Sequence, residues 1–187
     1  ALTAHTLASA RGYGEPLTGR FNPPAGAAFG SVLMGREENR FLLASSVGYG
    51  FVITFADLLS RNKAGKAVVS LPAGAELLMP VLVADPVGDR LAAISSEGHL
   101  LVFPVAELPQ MGRGKGNRIM ALAKGSVDRL LAVASVSPGG ALTLFCGKRH
   151  LVLKCNDLDA YEGTRGRRGR LLPRGFRKVD AIEAGRV

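Results

Sequence analysis

The stretch Phe41-Leu-Leu-Ala-Ser-Ser-Val-Gly-Tyr-Gly-Phe-Val-Ile-Thr-Phe-Ala-Asp-Leu58 holds two short apolar runs on either side of a Gly-bearing turn and closes on an acid followed by Leu. The runs are aliphatic, aromatic and β-branched, and they are too short for helices, so the stretch reads as a β-hairpin. Gly48 or Gly50 supplies the positive φ that a tight turn needs. The same arrangement returns in Leu91-Ala-Ala-Ile-Ser-Ser-Glu-Gly-His-Leu-Leu-Val-Phe-Pro-Val-Ala-Glu-Leu108 and in Ala141-Leu-Thr-Leu-Phe-Cys-Gly-Lys-Arg-His-Leu-Val-Leu-Lys-Cys-Asn-Asp-Leu158, with Gly98 and Gly147 at the turns.

A second feature repeats in phase with the hairpins: a Gly-rich basic loop leading into another strand. The four loops are Ala10-Arg-Gly-Tyr-Gly-Glu-Pro-Leu17, Arg61-Asn-Lys-Ala-Gly-Lys-Ala-Val68, Gly112-Arg-Gly-Lys-Gly-Asn-Arg-Ile119 and Arg165-Gly-Arg-Arg-Gly-Arg-Leu-Leu172. Gly14, Gly65, Gly116 and Gly169 stand 51, 51 and 53 residues apart. A period near fifty residues with about four strands per unit is the pattern of a propeller blade. A single β-sandwich with regular turns is the alternative. The breaks at Gly35-Arg-Glu-Glu-Asn39 and Asp85-Pro-Val-Gly-Asp89 divide one domain, 1–187, into a partial unit (about 1–35) and fuller units at 36–85, 86–134 and 135–187. The terminal Val179-Asp-Ala-Ile-Glu-Ala segment is expected to be a strand completing a blade rather than a helical turn.

Equivalent positions of a repeat array fall on one side of it, so loops in phase become one basic stripe. The expected stripe runs from Arg11 through Arg61, Lys63, Lys66, Arg113, Lys115, Arg118, Arg165, Arg167 and Arg168 to Arg170. A net charge of +9 and a pI near 10.2 point to a polyanionic partner. Lys and Arg in line neutralise successive phosphates of a duplex and release counterions, and the glycines let backbone N–H groups approach as well. A solvated basic tail is the plainer reading of residues 163–179.

Other chemistry finds little support. No apolar run approaches the ~18 residues of a membrane span, and Ala1-Leu-Thr-Ala-His5, which lacks a basic n-region followed by an apolar h-region, is not expected to be a signal peptide. Without an initiator Met, the chain is expected to begin inside a longer protein. Cys146 and Cys155 lack CxxC spacing and read as small buried strand residues of a reduced compartment. His5, His99 and His150 lie far apart, and Gly112-Arg-Gly-Lys-Gly116 lacks the spacing and hydroxyl of a P-loop. Tyr13, Tyr49 and Tyr161 sit in repeat loops or turns and are expected to pack rather than to act as nucleophiles. Asp57, Glu107 and Asp157 recur before Leu, which argues for a structural role, such as accepting backbone N–H bonds.

These segments resemble the C-terminal domain of the A chain of bacterial topoisomerase IV. The resemblance rests on 48–67, on Leu101-Val-Phe-Pro-Val-Ala-Glu-Leu-Pro-Gln-Met-Gly-Arg-Gly-Lys-Gly-Asn-Arg-Ile119, on the opening Ala10–Gly19 and on 163–169 with Leu171-Leu-Pro-Arg-Gly-Phe176. It implies an all-β, β-pinwheel fold, a propeller-like disc with strands exchanged between blades, here partial or truncated. It implies a non-catalytic domain that binds and bends double-stranded DNA on its rim within an ATP-dependent type IIA topoisomerase. It further implies partners in the catalytic core and in the ATPase subunit of topoisomerase IV. ATP and Mg2+ would be used elsewhere in the holoenzyme, with no cofactor here, and the location would be cytoplasmic and nucleoid-associated. The related gyrase A domain carries a Gln-Arg-Arg-Gly-Gly-Lys-Gly box. Gln110-Met-Gly-Arg-Gly-Lys-Gly116 keeps its two ends only, which resembles topoisomerase IV more than gyrase. A gyrase-type wrapping domain and a propeller-like protein-interaction module stand as alternatives.

Overall fold

A computed structural model describes residues 1–3, 7, 12–123 and 127–186, with the side chain of 186 left out. Arg11 and His5 lie outside the described residues. A one-turn helix, α1 (Leu17–Arg20), precedes the first hairpin of β1 (Arg40–Ala44) and β2 (Tyr49–Thr54), which ends in α2 (Phe55–Leu58). β3 (Val81–Val83) leads to the second hairpin of β4 (Arg90–Ser95) and β5 (His99–Pro104), then a 3₁₀ turn (Val105–Glu107) and β6 (Asn117–Arg118). β7 (Leu130–Val136) leads to the third hairpin of β8 (Gly140–Cys146) and β9 (Arg149–Leu153), followed by α3 (Cys155–Asp159), β10 (Arg170–Leu171) and β11 (Ala181–Arg186).

All three expected hairpins form, with Phe41 opposite Ile53, Leu91 opposite Phe103 and Leu142 opposite Leu153. The first turn uses Gly48, at φ +81°, as the second uses Gly98, also at +81°. Gly50 lies inside β2, where a Cβ would stand 2.5 Å from the Leu43 carbonyl oxygen. The C-terminal segment is a strand, β11, paired antiparallel along β8.

The strands form small sheets ordered β3-β1-β2-β6, β10-β5-β4-β7 and β11-β8-β9. Two of them are completed from outside their own unit. β6 follows the second hairpin yet pairs with β2 of the first, and β10 follows the third yet pairs with β5 of the second. The fold is therefore all-β with strands exchanged between neighbouring blades, and not a two-sheet sandwich.

The core lies between the blades. Leu42, Ala44 and Val52 meet Leu91, Ala93, Leu101 and Phe103 across the first interface, with Ile119 and Met120 sealing it. Ala92, Ile94, Leu100 and Val102 meet Leu142 and Leu144 across the second. The second hairpin is thus buried on both faces, which is why its strands read as unbroken apolar runs. Each fully buried Leu or Phe contributes about 1.5–3 kcal/mol. On the far side of the first hairpin, Phe41, Leu43, Phe51 and Ile53 are covered by Leu33, Phe55, Leu58, Val68, Val69 and Met111.

Each hairpin ends in a single helical turn that contains the recurrent acid. Asp157 accepts the Lys154 N–H at 3.0 Å, as expected. Asp57 instead accepts the Thr54 hydroxyl at 2.6 Å. Glu107 departs further, facing the Arg165 guanidinium at 3.9 Å, because the incoming loop of the next unit brings a cation to it. Both cysteines are free thiols; Cys146 is a buried strand residue as expected, whereas Cys155 is half-buried and opens α3 rather than lying in a strand, and burial pushes Cys146 up from its ordinary pKa. Among the described residues, no helix is long and apolar enough to cross a membrane.

Candidate nucleic-acid interface

Two of the basic loops are seated in the same way, each on the hairpin of the preceding unit. Gly116 (φ +76°) lies so close that a Cβ would stand 2.1 Å from the Gly50 carbonyl oxygen. Gly169 (φ +79°) lies likewise against the Leu100 carbonyl, at 2.4 Å. Only glycine combines that backbone conformation with that approach. Three residues further on, the Ile119 N–H donates to Gly48 O at 2.8 Å and the Leu172 N–H to Gly98 O at 2.9 Å. On the entry side, Met111 N–H donates to Val52 O (2.9 Å) and Gly163 N–H to Val102 O (3.0 Å). Each loop is thus pinned at both ends.

The loops also touch one another. Loop 61–68 runs into Val69 and Ser70, where Gly114 N–H donates to Val68 O at 2.8 Å and Ser70 N–H donates to Gly114 O at 3.0 Å. Loop 112–119 joins loop 165–172 through Gly166 N–H to Ile119 O (2.8 Å), and Ala121 N–H donates to Arg167 O (3.1 Å). The Arg165 guanidinium adds a bond to Arg118 O at 2.9 Å. From 61 to 172 the three loops make one continuous ribbon. The N-terminal region reaches it through Asn22 N–H to Lys63 O, at 3.1 Å.

Arg61, Lys63, Lys66, Arg113 and Arg167 are exposed, and among the described residues their side chains carry no hydrogen bond or ion pair. Lys115 and Arg118 gather on Tyr49. The Lys115 ammonium lies 3.9 Å from the ring centroid, and the Arg118 guanidinium lies 5.6 Å from it and donates to the phenol oxygen at 3.1 Å. The Arg118 hydrogen bond, with the charges of Arg118 and Lys115, holds the Tyr49 phenol below its ordinary pKa against a countering effect of burial. Tyr49 is thus a platform for two cations, a role its place in Gly-Tyr-Gly did not disclose. Tyr161 packs against the second core, and Tyr13 is fully exposed.

The last loop behaves differently. Arg168 pairs with Glu97 at 2.5 Å, Arg170 donates to Ala160 O at 2.6 Å, and the half-buried Arg165 faces Glu107. Of its four expected contact residues only Arg167 has a side chain left unengaged among the described residues. His99, the positional equivalent of Tyr49, holds its Nδ1 buried with no hydrogen-bond partner. Burial, and then the nearby Arg168 charge, push the His99 imidazole below its ordinary pKa. Among the described residues no group of three or more His, Cys, Asp or Glu side chains comes together as a metal site would require.

Residues 39–85 and 89–137 match the family described as the DNA gyrase C-terminal domain, beta-propeller. The chain is 50% identical over 185 residues to the A subunit of DNA topoisomerase 4 from Pseudomonas aeruginosa, covering 97% of this chain and 24% of that protein. It is 44% identical over 182 residues to the Escherichia coli protein of that name, covering 95% and 24%. The chain therefore spans about a quarter of the length of these curated relatives. The solved C-terminal domain of E. coli ParC superimposes with a TM-score of 0.87 at 42% identity, over 98% of this chain and 75% of that one. A solved gyrase A C-terminal domain shares the fold at a TM-score of 0.64 and 18% identity, over 80% and 50%.

Proposed function

Because the chain belongs to the family of C-terminal β-propeller domains found in the A chains of gyrase and topoisomerase IV, we propose that it binds double-stranded DNA along the ribbon of basic loops and bends it. The observation that carries this reading is the backbone continuity from 61 to 172, which sets Arg61, Lys63, Lys66, Arg113, Lys115, Arg118 and Arg167 on one connected strip. Phosphates neutralised in succession release counterions, so affinity comes mainly from the backbone of the duplex and falls steeply with salt. Backbone contacts carry little sequence information. The loops belong to successive blades, so a duplex that follows all of them has to curve, and the elastic cost is offset by the added contacts. Arg165, Arg168 and Arg170 enter this reading as residues that shape the strip, and Arg11, outside the described residues, as a further DNA contact.

In the longer protein the domain presents a DNA segment to the catalytic core of the same polypeptide and to its ATPase partner, and it does no bond chemistry of its own. We place the ATP and Mg2+ of such an enzyme outside this chain and its work on chromosomal DNA in the bacterial cytoplasm. Relaxation and decatenation are the reactions it serves, by favouring particular DNA crossings.

The test is a gel-shift series with linear duplexes of increasing length at several salt concentrations. Affinity is expected to rise with length until the strip is covered and to fall linearly in log–log form with salt. Affinity independent of length and salt would sink the reading, and salt-insensitive capture of an acidic protein instead would favour an interaction module. A plasmid ligation assay is expected to give only a small change of linking number; a large one would point to chiral wrapping.

A further inference from the structure

Arg40 and Arg90 stand one repeat apart, at the start of β1 and β4, and each reaches to the segment delivered by the next unit. Arg40 Nε donates to Gln110 Oε1 at 3.2 Å. Arg90 Nη1 donates to Asp159 Oδ1 at 2.7 Å and to Glu162 Oε1 at 2.8 Å, while Nη2 meets the Cys155 carbonyl at 3.5 Å and its Sγ at 3.2 Å. Gln110 and Glu162 are structural equivalents, since Gln110 bridges Val52 in parallel and Glu162 bridges Val102 in the same manner. One clasp is therefore built twice, once on a neutral amide and once on two carboxylates. The Arg90 side chain is only 17% exposed. Burial opposes its charge, but Glu162 and Asp159 outweigh that and raise the guanidinium pKa.

We infer that Arg90 is the positioning residue of the last basic loop. By holding Asp159 and Glu162 it fixes where the chain leaves α3 and enters the β5 edge, and so where Arg165, Arg167, Arg168 and Arg170 stand. Arg40 does the same for loop 112–119 through a single hydrogen bond. A guanidinium held by two carboxylates is bound more strongly than one that makes a single hydrogen bond to a neutral amide, so the last loop is the more tightly registered of the two. The consequence for DNA rests on the duplex-binding reading, but the clasp itself does not.

Arg90→Gln separates the two. Without DNA, hydrogen exchange at the Gly163 and Leu172 amides, which bond to Val102 O and Gly98 O, is expected to quicken by about tenfold or more. The equivalent Met111 and Ile119 amides of the other loop are expected to keep their rates. Glu162→Gln, which copies the Arg40–Gln110 clasp, is expected to stay within about threefold of the parent. With DNA, Arg90→Gln is expected to lower the salt slope by about 1, and adding Arg167→Ala is expected to change it little further. Should Arg90→Gln fail to fold, Arg90→Lys, which keeps the charge but loses the fork, is expected to give a smaller acceleration at the same two amides. Unchanged protection at Gly163 and Leu172, or an increase spread equally over both loops, overturns the clasp whatever DNA does. A parent chain that shows no salt-dependent duplex binding overturns the DNA reading and leaves the exchange result standing.

Discussion

Loops 112–119 and 165–172 are seated by the same bonds on successive hairpins, yet they use their cations in opposite ways. Lys115 and Arg168 are equivalent positions, and so are Tyr49 and His99 beneath them. Lys115 rests on an aromatic face, which attracts the ammonium without cancelling its charge. Arg168 is matched by the Glu97 carboxylate, so part of its field is neutralised inside the protein. The loop with more arginines therefore presents less unopposed charge than their number suggests. What a turn offers to a polyanion depends on what the hairpin of the preceding unit places under it.

The largest effect is expected at the seat the two loops share. Gly116→Ala and Gly169→Ala each force a Cβ onto a backbone carbonyl at a positive φ. Each is expected to cost about 2–4 kcal/mol, read as a lowered denaturation midpoint at unchanged slope. Gly65→Ala has the same sign of φ with open space around it and is expected to cost only about 1 kcal/mol. Equal losses at all three would mean that close approach does not hold the loops. Next in size is the contrast in binding. Arg113→Ala with Lys115→Ala is expected to flatten the salt slope of duplex binding by up to ~2, for all sequences alike. Arg165→Ala with Arg168→Ala is expected to flatten it by less than ~1. Slopes that fall equally would erase the distinction between free and tethered cations.

Freeing the tethered charge is expected to do the reverse. Glu97→Gln leaves Arg168 without its carboxylate and is expected to tighten duplex binding by about two- to threefold at low salt. His99 adds a pH dependence at the same place. Its folded pKa lies below the ordinary value, so the unfolded chain takes up the proton more readily. The stability it contributes is present above a pH of about 6.5 and is lost as the pH falls through that range. His99→Gln is expected to flatten the stability curve on the acid side of about pH 6.5; an unaltered curve would remove His99 from the account.

The sequence made the hairpins and their phase legible because both are local. A turn glycine between two apolar runs marks a hairpin wherever it occurs, and glycines 51 to 53 residues apart mark the repeat. Strand exchange was not legible from the pattern, since Asn117–Arg118 pairs with β2 across an entire intervening hairpin and nothing in those two residues names the partner. Glu107 misled for a similar reason. It recurs in phase with Asp57 and Asp157, but its partner, Arg165, arrives from the following unit. The clasps had a faint signal, Arg at 40 and 90 with Gln110 and Glu162 at offsets of 70 and 72 residues, but an offset becomes a contact only after the exchange is known. The stripe mixed residues of two kinds because charge is visible in a sequence and its compensation is not.

The smallest expected effect bears most directly on the comparison, because it alters only what lies under the cations. Tyr49→Phe keeps the ring beneath Lys115 and removes the oxygen that accepts from Arg118. If the ring is the platform, duplex affinity is expected to weaken by about twofold or less, with the salt slope retained. Tyr49→His instead installs the residue of the second hairpin under the cations of the first loop. A neutral imidazole is a poorer face for an ammonium, and a protonated one repels it, so binding is expected to weaken further as the pH falls below about 6.5. Isothermal titration of the two variants at two pH values reads both effects. If Tyr49→Phe and Tyr49→His bind alike at each pH, the ground beneath the cations is immaterial, and the contrast between the loops must come from Glu97 alone.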